Sequence, residues 1–170
     1  MAATSTTDAT FNQVARKGSK LNQFVAQSSK IIADGVSTRT LTPNESGAEC
    51  FFDTAAGVTY TLPTIDRTEQ LGMNFTFGVS VVGTGTYKLI TGAASEFLLG
   101  SVFLLDKTIA TSGDIFDANG TTHVALTADA DTKGRLLGGR IKVTAISLTQ
   151  WYIEGYLQEA GTAADPFTTS

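Results

Sequence analysis

Between about residue 36 and residue 157, apolar and polar side chains alternate in short runs separated by turn residues. A period of two is what a strand needs when one face lies in a core and the other in water. The clearest case sits in the last third of the chain. Ile141, Val143 and Ala145 alternate with Arg140, Lys142 and Thr144; a polar break covers Ser147 to Gln150; then Trp151, Ile153 and Gly155 resume the pattern. This predicts two strands of an antiparallel hairpin closing a β-sandwich. Trp151 and Ile153 share a phase and are assigned to the core, with Tyr152 and Glu154 on the opposite face. From Met73 to Val82, Met73, Phe75, Phe77, Val79 and Val81 lie on one face, while Asn74, Thr76, Gly78 and Ser80 line the other. That run predicts a central strand, and its Phe75, Phe77 and Val79 join the expected structural core.

Other runs predict strands over Val36–Leu41, Cys50–Asp53, Val58–Leu62, Tyr87–Thr91 and Leu98–Leu105. Gly83-Thr84-Gly85-Thr86 is a turn, and Asp117-Ala118-Asn119-Gly120 reads as a turn leading into a strand over Thr121–Leu126. Helical patterning is largely absent from this body. The expected fold class is therefore all-β, an antiparallel β-sandwich spanning residues 36–157.

Two flanking regions differ. Residues 1–35 are rich in Ser, Thr, Ala and Gln and lack a strand pattern. Within them Phe11, Val14, Leu21, Phe24, Val25, Ile31 and Ile32 fall near a 3.5-residue spacing, which suits an amphipathic helix capped by Thr7 or Asp8. Gly18-Ser19 and the low charge suit an extended arm equally well. Either form leaves apolar residues in need of a partner surface, so this segment is expected to be an anchoring arm. Residues 158–170 read as a polar C-terminal tail.

Composition narrows the function. Charged residues make up 16% of the chain, against about 25% in an ordinary soluble domain. An uncharged polar surface suits protein–protein contact, because covering a hydroxyl costs less than covering a carboxylate. Arg16, Lys17, Lys20 and Lys30 stand against Asp8 in residues 1–33, a net of +3, leaving −7 in the rest of a chain that totals −4. An acidic body argues against nucleic acid as a partner, since phosphate contact depends on clustered Lys and Arg. No run approaches the roughly 18 apolar residues of a membrane helix, so no membrane partner is expected. The opening residues lack a basic start followed by an apolar stretch, which predicts assembly in a reducing cytosol. Cys50, the single cysteine, lies in an apolar run and is read as a buried structural thiol.

Candidate chemistry is sparse. His123 is the single histidine, so a triad or His-rich metal site has one anchor, and a solvent-facing strand histidine is the preferred reading. The stretch Asp114 to Gly120 and the pair Asp129/Asp131 offer oxygen donors without the spacing of a calcium loop, and ordinary turns are favoured. No carboxylate pair stands in a distinctive setting for glycoside hydrolysis. Neither Gly83-Thr84-Gly85 nor Gly138-Gly139 opens a helix, which removes a phosphate loop. The sequence thus predicts no enzyme activity, no cofactor and no metal.

Several segments resemble those of a known class. Leu41-Thr42-Pro43 with Ser46-Gly47, then Phe51-Phe52-Asp53, Ala55-Ala56-Gly57, a strand ending in Leu62-Pro63 and the closing Gln150-Trp151-Tyr152-Ile153-Glu154-Gly155 are similar in spacing and type to small β-sandwich modules of tailed-bacteriophage virions. The resemblance spans residues 40–157. It implies a virion structural protein, and with an N-terminal arm the chain most resembles a capsid cement, or decoration, protein. Such proteins are commonly jelly-roll-like trimers on the outer capsid surface, clamping junctions between major capsid subunits. The implied partners are the major capsid protein and further copies of this chain. In that reading Phe11, Val14, Arg16, Lys17, Lys20, Leu21 and Phe24 anchor the arm to the capsid. The related module also occurs in tail fibres and other appendages, which leaves a receptor- or carbohydrate-binding role as the alternative.

Overall fold

The computed structural model describes residues 30–108 and 113–170. The arm residues Phe11, Val14, Arg16, Lys17, Lys20, Leu21 and Phe24 lie outside them. The chain from Ile31 to Ser170 is one compact unit of β-structure with three short 3-10 turns. Its strands are β1 (Ile31–Ile32), β2 (Thr38–Thr40), β3 (Glu49–Phe52), β4 (Gly57–Thr61), β5 (Asn74–Val79), β6 (Thr86–Ile90), β7 (Phe97–Asp106), β8 (Gly113–Asn119), β9 (Ala125–Ala128), β10 (Leu136–Ser147), β11 (Gln150–Glu159) and β12 (Phe167–Thr168). They form a seven-stranded sheet in the order β1-β3-β5-β10-β11-β7-β8 and a five-stranded sheet in the order β12-β9-β6-β4-β2.

The expectation of a wholly antiparallel sandwich is corrected by the first half of the chain. β1, β3 and β5 run parallel in the large sheet, and β2, β4 and β6 run parallel in the small one. The cause is that each of these strands crosses to the other sheet before the chain returns. Consecutive strands within one sheet are therefore a full turn of coil apart and point the same way. This winding departs from the antiparallel Greek keys of a jelly roll. The corner between β3 and β4 closes on Gly57, whose φ of +115° suits glycine and where a Cβ would lie 2.6 Å from the Thr86 carbonyl oxygen. Antiparallel pairing takes over later: β10 pairs with both β5 and β11, while β11 runs parallel to β7.

The two inner faces meet in a single core. Phe52 and Phe77 from the large sheet contact Tyr60 from the small one, with ring centroids 5.5 and 5.3 Å away, and Phe52 stacks on Tyr87 at 4.9 Å. The buried phenols are satisfied, Tyr60 donating to the Phe51 carbonyl at 2.9 Å and Tyr87 to that of Val81 at 2.8 Å. Phe75, Phe77, Val79, Trp151 and Ile153 are all buried, as is Cys50. β5 lies inside the large sheet between β3 and β10, but it stops at Val79, and Val81 and Val82 are exposed.

Three boundaries differ from the sequence reading. Asp117 to Asn119 belong to the edge strand β8, and the chain turns only at Gly120, with φ of +73°. The next strand begins at Ala125, so His123 lies in the connecting loop. Residues 158–170 are woven into the body: β11 runs to Glu159, and Phe167, nearly fully buried, pairs with Leu126 in the small sheet. An aromatic flanked by Pro166 and Thr168 can add a short strand wherever an edge is open, and β9 supplies that edge.

Candidate interaction face

The alternation that places Trp151 inward places its neighbours outward, and the strand register aligns them into rows across the large sheet. One row runs Phe51, Gly78, Arg140, Tyr156, Phe103, Ile115. Beside it runs Glu49, Thr76, Lys142, Glu154, Ser101, Asp117. On the far side of that second row, Tyr152 stands between Thr144 and Leu99. Rows on one face of a sheet are separated by about 6.7 Å, and neighbours within a row by about 4.8 Å. Tyr152 is 40% exposed, Tyr156 39% and Ile115 62%.

Two features prepare this face for contact. The rings of Phe51 and Phe103 cover the bare backbones of Gly78 and Gly113, where a Cβ would meet them at 2.8 and 2.6 Å. Aromatic cover of a glycine shields its bare backbone from water at that position. Most of the charges, moreover, have a neighbour within the face itself. Arg140 donates to Glu49 at 2.6 Å, Lys142 stands opposite Glu154 in register, and Ser101 donates to Asp117 at 2.6 Å. A partner that covers Arg140 and Glu49 buries them as a pair, which avoids the expensive step of burying a lone ion, while Asp117 keeps the Ser101 hydroxyl.

The chemistry-bearing residues weighed from the sequence are dispersed. His123 accepts the Asn119 amide N–H through Nδ1 at 3.2 Å and stacks on Phe167 at 5.7 Å. Asp129 and Asp131 are ion-paired with Lys133 and Arg135 at 3.2 and 2.7 Å. Asp114 and Asp117 lie on β8. Among the described residues, no three His, Cys, Asp or Glu side chains converge as a metal site would require. A hollow of about 330 Å³ at one end of the small sheet is lined by Ile90, Thr91, Ala93, Val124 and Ser170, with no titratable side chain in its wall.

Sequence reasoning missed three buried carboxylates, Glu96, Asp106 and Glu159. Glu96 accepts the Ile65 amide N–H at 2.7 Å and the Trp151 indole N–H at 3.0 Å. The indole is fully enclosed, as its strand phase implies, and anchors a polar clamp. Glu159 was within reach of the pattern, since it continues the inward phase of Trp151, Ile153 and Leu157. Nothing in the residues around Glu96 signals its burial. No known family model matches this chain, and neither a curated protein nor a solved structure is found to be similar to it.

Proposed function

We propose that this chain is a non-catalytic virion structural protein, a capsid cement protein of a tailed bacteriophage. It binds the outer capsid surface and stabilises junctions between major capsid subunits. The observation that carries the reading is the outer face of the large sheet: broad, with Arg140 and Glu49 ion-paired on it, and lined with exposed tyrosines and Ile115. Aromatic residues over paired charges are what a protein-binding surface needs, because they contribute contact area without unpaired ions. The resemblance across residues 40–157 points the same way. In this reading the arm, with Phe11 and Lys17 among its anchoring residues, holds the capsid. The body associates with further copies of itself as a trimer on the lattice. The first half of the chain reaches a two-layer body by coiling, so the function does not depend on jelly-roll connectivity.

A second reading, a carbohydrate- or receptor-binding module of a tail appendage, is favoured by one observation. Tyr152 and Tyr156 stand on the same face of β11 with Glu154 between them, an arrangement in which sugar rings can stack and hydroxyls can be held. Copy number separates the two. Quantitative mass spectrometry of purified particles should find this protein in amounts comparable to the major capsid protein. A few copies per particle would reject the cement role in favour of the appendage.

A further inference from the structure

The large sheet ends on β8, which has β7 on one side and no strand on the other among the described residues. In an antiparallel pair the backbone groups of alternate residues point to the partner strand, and those between them point away. The Gly120 amide N–H donates to the Leu98 carbonyl at 2.8 Å, and the same register continues through Ala118 with Gly100 and Phe116 with Val102. The backbone groups of Ile115 and Asp117 therefore point outward from the edge of the sheet. At Asn119, the next residue of that series, the amide N–H is taken by His123 Nδ1 at 3.2 Å. The open stretch is short and has a definite end.

The side chains along this stretch are Asp114, Ile115, Phe116 and Asp117. By strand parity Ile115 and Asp117 stand on the outer face of the sheet, and Asp114 and Phe116 on the inner one. Ile115 is the most exposed of the large apolar side chains described, and Phe116 is half-buried. Neither β8 nor its neighbours β7 and β12 carries a lysine or arginine. The edge is thus negative and apolar at once. It resists a second copy of itself, which would bring its own Asp114 and Asp117 to the same place.

We propose that β8 accepts an extended segment of another protein as an added strand, and that this segment reads basic-apolar-apolar-basic. Strand addition satisfies the outward backbone groups, and the side chains beside them set the preference. Opposite charges and apolar pairs are the favoured neighbours across two strands. Lysine or arginine therefore suits the places opposite Asp114 and Asp117, and apolar residues suit those opposite Ile115 and Phe116. The order is the same in either chain direction, because Asp114-Ile115-Phe116-Asp117 is itself symmetric in type. No segment of this chain has that order: Lys17 and Lys20 are the one pair of basic residues three apart, and Gly18-Ser19 separates them. The occupant is accordingly a different protein. Its strand would extend the rows of the outer face by one place, but the edge stands independently of what that face binds.

Amide hydrogen exchange of the full chain is the first test. Phe116 and Ala118 should exchange slowly, and Ile115 and Asp117 fast. Slow exchange at Ile115 and Asp117 would mean that the edge is already covered, and would overturn the proposal. The second test is a titration followed by amide NMR with two peptides, one with the core Arg-Val-Val-Arg and one with Glu-Val-Val-Glu. The arginine peptide should shift the Ile115 and Asp117 amides and slow their exchange by at least about tenfold, while the glutamate peptide leaves them unchanged. Binding should weaken with added salt and in a variant carrying both Asp114→Asn and Asp117→Asn. It should vanish in Ile115→Pro, which removes an outward N–H at a place where an edge strand tolerates proline. Should the proline variant fail to fold, the asparagine variant decides. Equal binding of the two peptides, no response to the arginine peptide, or shifts confined to Tyr152 and Tyr156 would overturn strand addition and leave the role of the outer face untouched.

Discussion

Trp151 and Glu96 join three separate stretches of chain at one buried point. The indole packs against Phe75 with centroids 6.3 Å apart, and its N–H reaches a carboxylate that also holds the Ile65 amide. Trp151→Ala should therefore cost about 3–5 kcal/mol, as large-to-small core changes do, and thermal melts would register it. Glu96→Ala strands two buried donors, and each should cost about 1–3 kcal/mol. Asp117→Ala should stay within about 1 kcal/mol, because its hydrogen bond to Ser101 is at the surface. Alkaline pH probes the core differently. Burial holds the Tyr60 and Tyr87 phenols above their usual value, Tyr60 the more strongly. Their contribution is complete below the unfolded value of about 10 and falls away as pH climbs beyond it. Phenolate absorbance from these two residues should accordingly rise together with the loss of near-ultraviolet circular dichroism.

At the level of elements, the decisive feature is the coil made by β1 to β6. Ile32 is nearly fully buried on β1, and β1 covers the edge of β3. Removing residues 1–30 should leave that cover in place, whereas removing residues 1–33 takes it away. The shorter product should melt lower, by the equivalent of about 2 kcal/mol for the lost isoleucine. Equal melting of the two truncations would show that β1 adds nothing to the body. This coil also marks the limit of what the residues reveal. Strand positions and inward faces were legible, because Phe75, Phe77, Val143, Trp151 and Ile153 keep a strict period of two. Direction was not, because parallel and antiparallel strands share that period. The short link from Asp53 to Ala56 looks like a hairpin loop, yet it turns the chain into the opposite sheet. β8 was missed because Asp114 to Ala118 do not alternate cleanly: an edge strand is half exposed on both faces, so its pattern blurs.

On the scale of the whole molecule, the interaction face emerges from register. Arg140, Lys142, Tyr152 and Glu154 could be placed opposite the core from their parity. Their alignment with Glu49, Ser101, Phe103 and Ile115 depends on which strands are neighbours, and no local pattern encodes that. A carboxylate at Tyr156 should leave the fold within about 1 kcal/mol of the parent, since the side chain stands at the surface. It should nevertheless weaken attachment to particles that lack the protein, measured by co-sedimentation. The arm's basic and apolar residues should contribute separately, so that an arm deletion and Tyr156→Asp together abolish binding that either alone reduces. A cryo-EM map of the intact particle bears on the whole account at once. It should place one two-layered β body over each contacted capsomer junction, with Tyr152, Tyr156 and Ile115 turned into protein density. Density for this chain confined to a tail appendage, or a capsid-bound body whose large sheet faces solvent, would contradict it.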